Sequence, residues 1–167
     1  MARFGPKESE LISRLSYEKT TVVTNKQLES LFGESVLVRQ VIYQLKKKGI
    51  LKPITKGVYY YSPLEAGPSG IRINEFLIPP VLFPKGNYYV GYSNMYNFYG
   101  FTDQIFQTMY VLNTSLQRQR QICGIQFKLL KIPSSRMYGL DQVRIKGTEG
   151  VLRDKERKLV DLGYFHN

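Results

Sequence analysis

The sequence predicts an α+β protein in two parts: three short helices with a β-hairpin, then a mixed α/β domain. Three observations predict this division. Apolar residues recur at helical spacing through residues 7–48, with capping residues between the runs. Two short strand-like runs then flank Thr55-Lys56-Gly57, a hairpin signal. Finally, SPLEAGPSG, residues 62–70, is rich in Pro, Gly and Ser and separates this first part from a series of apolar, strand-like stretches.

Each element has its own justification. KESELISRLSY, residues 7–17, carries Leu11, Ile12 and Leu15 at helical spacing and is the first helix. TTVVT is extended or a brief strand, because its residues are β-branched throughout. Thr24 and Gln27 form a Thr-x-x-Gln capping box, in which each side chain satisfies a backbone donor at a helix start. NKQLESLF follows as the second helix, and Gly33 ends it. Ser35 suits the N-cap of a third helix, SVLVRQVIYQLKKK, with Val38, Val41, Ile42 and Leu45 as its buried stripe. Lys46, Lys47 and Lys48 occupy the last turn, where cations suit the helix dipole, and Gly49 is the C-terminal cap. ILKPI and VYYYS are the hairpin strands. Helix, helix, helix, hairpin is the order of a winged helix-turn-helix, here residues 1–62.

Residues 63–70 are expected to be a linker and residues 71–167 an α/β domain. In that domain INEFLIPPVLF is apolar and helical, disturbed at Pro79 and Pro80. YSNMYNFYGF is a helix with Tyr92, Tyr96 and Tyr99 on one face. FQTMYVL and GIQFKLLKI are strands, and MYGLDQVRIKGTEGVL holds further short strands. Asp154 caps a last helix, DKERKLVDLGYF.

Charge narrows the partner. The 167 residues carry a net charge of +11, and residues 1–62 hold eleven Lys and Arg against five Asp and Glu. Such an excess favours polyanionic partners, with a merely soluble basic protein as the competing reading. One cysteine, Cys123, excludes an intrachain disulfide. No stretch reaches the roughly 18 apolar residues of a membrane span. MARFGPKESE lacks the apolar core of a secretion signal, so a cytoplasmic location without a membrane partner is expected.

The third helix has a second face. Val36, Arg39, Gln40, Tyr43 and Lys47 fall at i, i+3, i+4, i+7 and i+11, opposite the apolar stripe. Arg and Gln are the side chains that pair two-pronged with guanine and adenine edges. Arg39 and Gln40 lie in the N-terminal half, the part a recognition helix offers to bases. Lys46 to Lys48 are better placed for phosphates, and Lys56 at the hairpin tip for a phosphate or a minor groove. The candidate contacts with double-stranded DNA are therefore Thr24, Asn25, Lys26, Ser35, Arg39, Gln40, Tyr43, Lys46, Lys47, Lys52 and Lys56.

Tyr59, Tyr60 and Tyr61 could stack on bases, but aromatics in a hairpin more often pack onto helices. Tyr92, Tyr96 and Tyr99 are weighed the same way. Cys123 reads as a buried, inert thiol. Asp141 with Glu156 and Lys158 loosely matches a metal-dependent nuclease, a minor alternative, since Glu156 and Lys158 stand two apart on a helix and diverge. No enzyme, cofactor or metal is expected. A partner-binding adaptor with an incidental basic face is the remaining alternative.

Three stretches carry a family resemblance. KKKGILKPITKGVYYYSP, YYVGYSNMYNFYGFTDQIFQTMYVLN and VLRDKERKLVDL resemble the AbiEi-type antitoxins, transcriptional regulators of bacterial abortive-infection toxin–antitoxin systems. Lys158 departs from the pattern, standing where the family has a small or uncharged residue. Family members continue through further helices, which implies a short or truncated member. The resemblance further implies an autorepressor that binds an operator with inverted repeats, with a homodimer on DNA as one arrangement. It also implies an antitoxin that offsets a nucleotidyltransferase-like toxin without needing a stable complex.

Overall fold

The computed structural model describes residues 3–33, 35–62, 73–91, 108–145 and 148–153. The chain is α+β and divides into two compact units, Met1–Ile73 and Asn74–Asn167.

The first unit runs α1 (Pro6–Tyr17), β1 (Val22–Thr24), α2 (Asn25–Phe32), α3 (Ser35–Lys47), β2 (Leu51–Thr55) and β3 (Val58–Tyr61). Pro6 suits the start of α1, where its missing N–H would have no helical partner. The apolar stripes of the three helices converge on one core. Leu11, Ile12 and Leu15 of α1 meet Leu28 of α2 and Val38, Val41, Ile42 and Leu45 of α3. Val23, Ile50, Leu51, Tyr59 and Tyr61 close it from the sheet. The Tyr61 hydroxyl reaches Ser16 Oγ at 2.7 Å and the Ile12 carbonyl at 3.3 Å, so this phenol is satisfied inside.

The sheet order is β1-β3-β2, antiparallel throughout. The last strand therefore lies between the first two, with Val23 opposite Tyr59 on one side and Leu51 opposite Tyr61 on the other. Pro53 sits on an outer strand, where the lost donor is tolerated, and the register shifts between Pro53 and Thr55. α3 stops at a Schellman turn. Gly49 takes φ +76, its N–H donates to the Lys46 carbonyl, and the Ile50 N–H donates to Leu45. Leu45 and Ile50, the residues this motif brings together, are both in the core.

The second unit begins with a 3-10 turn (Glu75–Leu77) and α4 (Ile78–Leu82). Its described strands are β4 (Tyr88–Val90), β5 (Thr108–Asn113), β6 (Arg118–Ile122), β7 (Ile125–Lys131), β8 (Leu140–Ile145) and β9 (Thr148–Arg153). They form one mixed sheet in the order β6-β7-β5-β4-β9-β8, with β5/β7 and β4/β9 parallel. Met109, Val111, Phe127 and Leu129 are fully buried on one face. Asn113 ends β5 with no exposed surface: its Nδ2 donates to the Leu116 and Leu130 carbonyls, and its Oδ1 accepts from the Ser115 and Leu116 N–H groups.

Two sequence expectations need correction, and two strands are added to those expected. β4 and β6 are strands that the pattern of YYV and RQRQI does not announce. Cys123 is not a buried thiol; it is half-buried in the two-residue turn between β6 and β7, where Cys123 at φ +52 and Gly124 at φ +79 both lie in the left-handed region. The apolar run over residues 73–83 is not one helix but a 3-10 turn followed by a single α-turn carrying Pro79 and Pro80. The expected linker over 63–70, the helices over 92–101 and 154–165, and with them Tyr92, Tyr96, Tyr99 and Asp154, lie outside the described residues.

Candidate nucleic-acid interface

The best-defined polar surface of the first unit is built from α2, α3 and the β2–β3 turn. At the start of α2 the capping box closes as its residues require. Thr24 Oγ1 accepts from the Gln27 N–H at 3.2 Å, and Gln27 Oε1 accepts from the Thr24 N–H at 2.9 Å. Gly33 then ends the helix at φ +72, its N–H donating to the Glu29 carbonyl. Only Gly33 and Glu34 separate α2 from α3.

The first residue of α2 also holds the hairpin. The Asn25 N–H donates to the Gly57 carbonyl at 2.9 Å. The Asn25 side chain lies against Gly57, with Nδ2 3.4 Å from where a Cβ would stand. Gly57 suits glycine because φ is +74, in the left-handed region, while a Cβ there would meet Asn25 only in ordinary contact. Asn25 Oδ1 is buried without a hydrogen-bond partner. Thr24 and Asn25 are thus engaged internally, one as a cap and one as a latch on the turn. The latch sets the exposed Lys56 at the hairpin tip against the start of α2, where exposed Lys26 follows Asn25.

α3 separates two chemistries around its axis. Val38, Val41, Ile42 and Leu45 are buried. Arg39, Gln40, Lys46 and Lys47 are exposed, and Val36 and Tyr43 retain 66% and 62% of their surface. No Asp or Glu occurs from residue 35 to residue 64, so the exposed cations of α3 and the hairpin have no carboxylate of their own segment to pair with. Lys46 Nζ lies over the Tyr59 ring, 5.8 Å from its centroid, while the side chain as a whole stays exposed. Lys52 is half-buried in β2, opposite Tyr60 in the register. Ser35, expected as an N-cap, is the first residue of α3; its side chain lies outside the described residues.

Lys48 does not belong to this surface, against the expectation that all three lysines face a phosphate backbone. Its Nζ lies 2.7 Å from Glu8 Oε2, bonds the Arg3 carbonyl, and sits 5.1 Å from the Phe4 ring centroid. Glu8 is itself buried and accepts from the Gly5 N–H at 2.8 Å. The Lys48 hydrogen bond holds the Glu8 carboxyl below its ordinary range, outweighing burial, which acts the other way. Sequence spacing missed this because Lys48 and Glu8 are forty residues apart. Tyr59, Tyr60 and Tyr61 are all buried, which favours packing over base stacking.

Among the described residues no group of three or more His, Cys, Asp or Glu is placed to hold a metal ion. Asp141 falls in β8, paired with Leu152 of β9, while Glu156 and Lys158 lie outside the described residues. Among those residues no helix is long and apolar enough to cross a membrane.

Comparison with solved structures places the chain in a mixed helix-and-sheet fold of known shape. The crystal structure of the RV2827C protein from Mycobacterium tuberculosis is similar to it, with a TM-score of 0.59 and 16% sequence identity over 84% of this chain. The match covers 51% of that protein, so this chain spans about half its length, and at this identity the likeness concerns the fold alone. No family model matches the chain, and no curated protein does.

Proposed function

We propose that the first unit is a winged helix-turn-helix and that through it the protein binds duplex DNA as a sequence-specific transcriptional regulator. α3 would enter the major groove, with the β2–β3 hairpin as the wing. One observation carries this: α3 turns Arg39, Gln40, Tyr43 and Lys47 outward together with no carboxylate among them, and the hairpin that bears Lys56 is latched to the start of α2 through Asn25 and Gly57. Bidentate donors surrounded by cations suit base edges flanked by phosphates.

The resemblance to AbiEi-type antitoxins extends the proposal. The protein would repress its own operon from inverted repeats, two copies meeting on the two halves, and offset a nucleotidyltransferase-like toxin in the cytoplasm. The experiment is a titration of the full chain against duplexes from upstream of its own operon and against random duplex. Arg39→Ala and Gln40→Ala are each expected to lose about 1–3 kcal/mol of discrimination between the two. Equal loss on both duplexes overturns the assignment.

A further inference from the structure

Val36 is the residue on α3 that the hydrogen-bonding account leaves over. It is β-branched, lies in the first turn of the helix, and keeps 66% of its surface. A β-branched residue is a poor choice there on helix propensity alone, and it leaves most of its surface uncovered by the protein. A single exposed apolar side chain is ordinary on any surface. This one has a particular setting. Of the four large apolar or aromatic side chains exposed among the described residues, two, Val36 and Tyr43, stand on the outer face of α3. Arg39 and Gln40 are three and four residues on from Val36, so the three side chains are neighbours on the helix surface.

The edges of base pairs in the major groove offer donors, acceptors and one apolar group, the 5-methyl of thymine. A branched aliphatic side chain beside an Arg and a Gln has only that group as a match. We infer that Val36 is a specificity-determining residue that packs on a thymine 5-methyl group, beside the purine that Arg39 or Gln40 reads. The cations of the same unit suit this occupant: Arg39 is a helical neighbour, Lys46 and Lys47 lie further along α3, and Lys26 and Lys56 are exposed as well, and a phosphate backbone complements them while an apolar protein partner does not. The inference rests on the DNA-binding proposal and adds a base identity to it.

The test starts from duplexes selected by the full chain out of a random-sequence pool. Each thymine of the selected motif is replaced in turn by deoxyuridine, which lacks only the methyl group. At one thymine per half-site the replacement is expected to weaken binding about fourfold, the effect of one methyl returned to water. Val36→Ala, which keeps the helix and removes the branch, is expected to bind the thymine duplex several-fold less well and to be indifferent to that replacement. Arg39→Ala is expected to keep the methyl effect while losing the adjacent purine preference. If no thymine methyl matters, or if the effect persists unchanged in Val36→Ala, the inference is wrong although the DNA-binding proposal stands. If the pool yields no motif at all, both fall.

Discussion

The two units of the chain organise their contacts in opposite ways. In the first, local caps bound α2 at both ends and close the end of α3, and the helices follow one another with short connections. A few links reach further: β1 pairs with β3, Tyr61 bonds Ser16 and Ile12, and Lys48 bonds Glu8. In the second, β5 pairs in parallel with β7, β4 with β9, and the sheet order crosses the chain order repeatedly. The difference teaches where sequence patterns carry information. Local rules govern a unit whose contacts are local, whereas partners that are remote in sequence leave no local trace.

The contrast can be tested most strongly in the second unit. Phe127 is fully buried on β7, between β6 and β5 and beside Met109 in the register. Phe127→Ala is expected to destabilise that unit by about 3–5 kcal/mol. Denaturant unfolding followed by hydrogen exchange should show the loss in β5 and β7 while α1 to α3 keep their protection. One shared transition for both units would break the division.

A smaller effect separates two adjacent lysines. Lys48→Ala leaves Glu8 buried without its cation and is expected to cost the first unit about 1.5–3 kcal/mol, read from its urea midpoint. Lys47→Ala, one residue away and exposed, should change stability by less than about 0.5 kcal/mol. The pH dependence follows from the direction of the shift. Glu8 is held below its ordinary value of 4.5, so its contribution is complete above that value and fades as the pH falls through the lowered one. Lys48→Ala should therefore flatten the acid limb of the stability curve, and an unchanged limb would mean that the pair does not form in solution.

Gly57→Ala sharpens the link between local geometry and the surface. Forcing φ +74 on a residue with a Cβ is expected to cost about 1–2 kcal/mol and to strain the turn that Asn25 latches. Binding of duplex DNA should weaken with it, because Lys56 loses its fixed position. A variant that is destabilised yet binds as before would show that the hairpin tip takes no part. The smallest expected effect is electrostatic: Lys47→Ala should reduce the slope of log affinity against log salt by about 0.9, and Lys48→Ala should leave it alone.

Much of the first unit was legible because its signals are local. The Thr24–Gln27 box, Gly33, the stripe from Val38 to Leu45 and Gly49 each act within one or two turns, and α2 falls where its caps place it. In the second unit β6 escaped because RQRQI has no apolar alternation; it ends the described sheet, where only Ile122 is buried. β4 escaped for the opposite reason, since three consecutive buried residues have no period to detect. At the candidate site, the outward face of α3 follows from helical period. The bonds that remove Lys48 from it and tie Asn25 to Gly57 span forty and thirty-two positions and depend on the tertiary fold.

The place of β3 between β1 and β2 has a consequence for synthesis. A ribosome that has delivered α1, α2 and α3 has delivered helices whose common core still lacks Tyr59 and Tyr61. It has also left β1 with no strand to pair with, because that strand is the last of the unit to be made. The nascent chain therefore reaches residue 61 before its first sixty residues can close, and until then the stripe of Val38, Val41, Ile42 and Leu45 is open to chaperones and to other chains. A pause in translation just past α3 would lengthen that exposure, whereas one after the hairpin has left the exit tunnel would find the unit already shut.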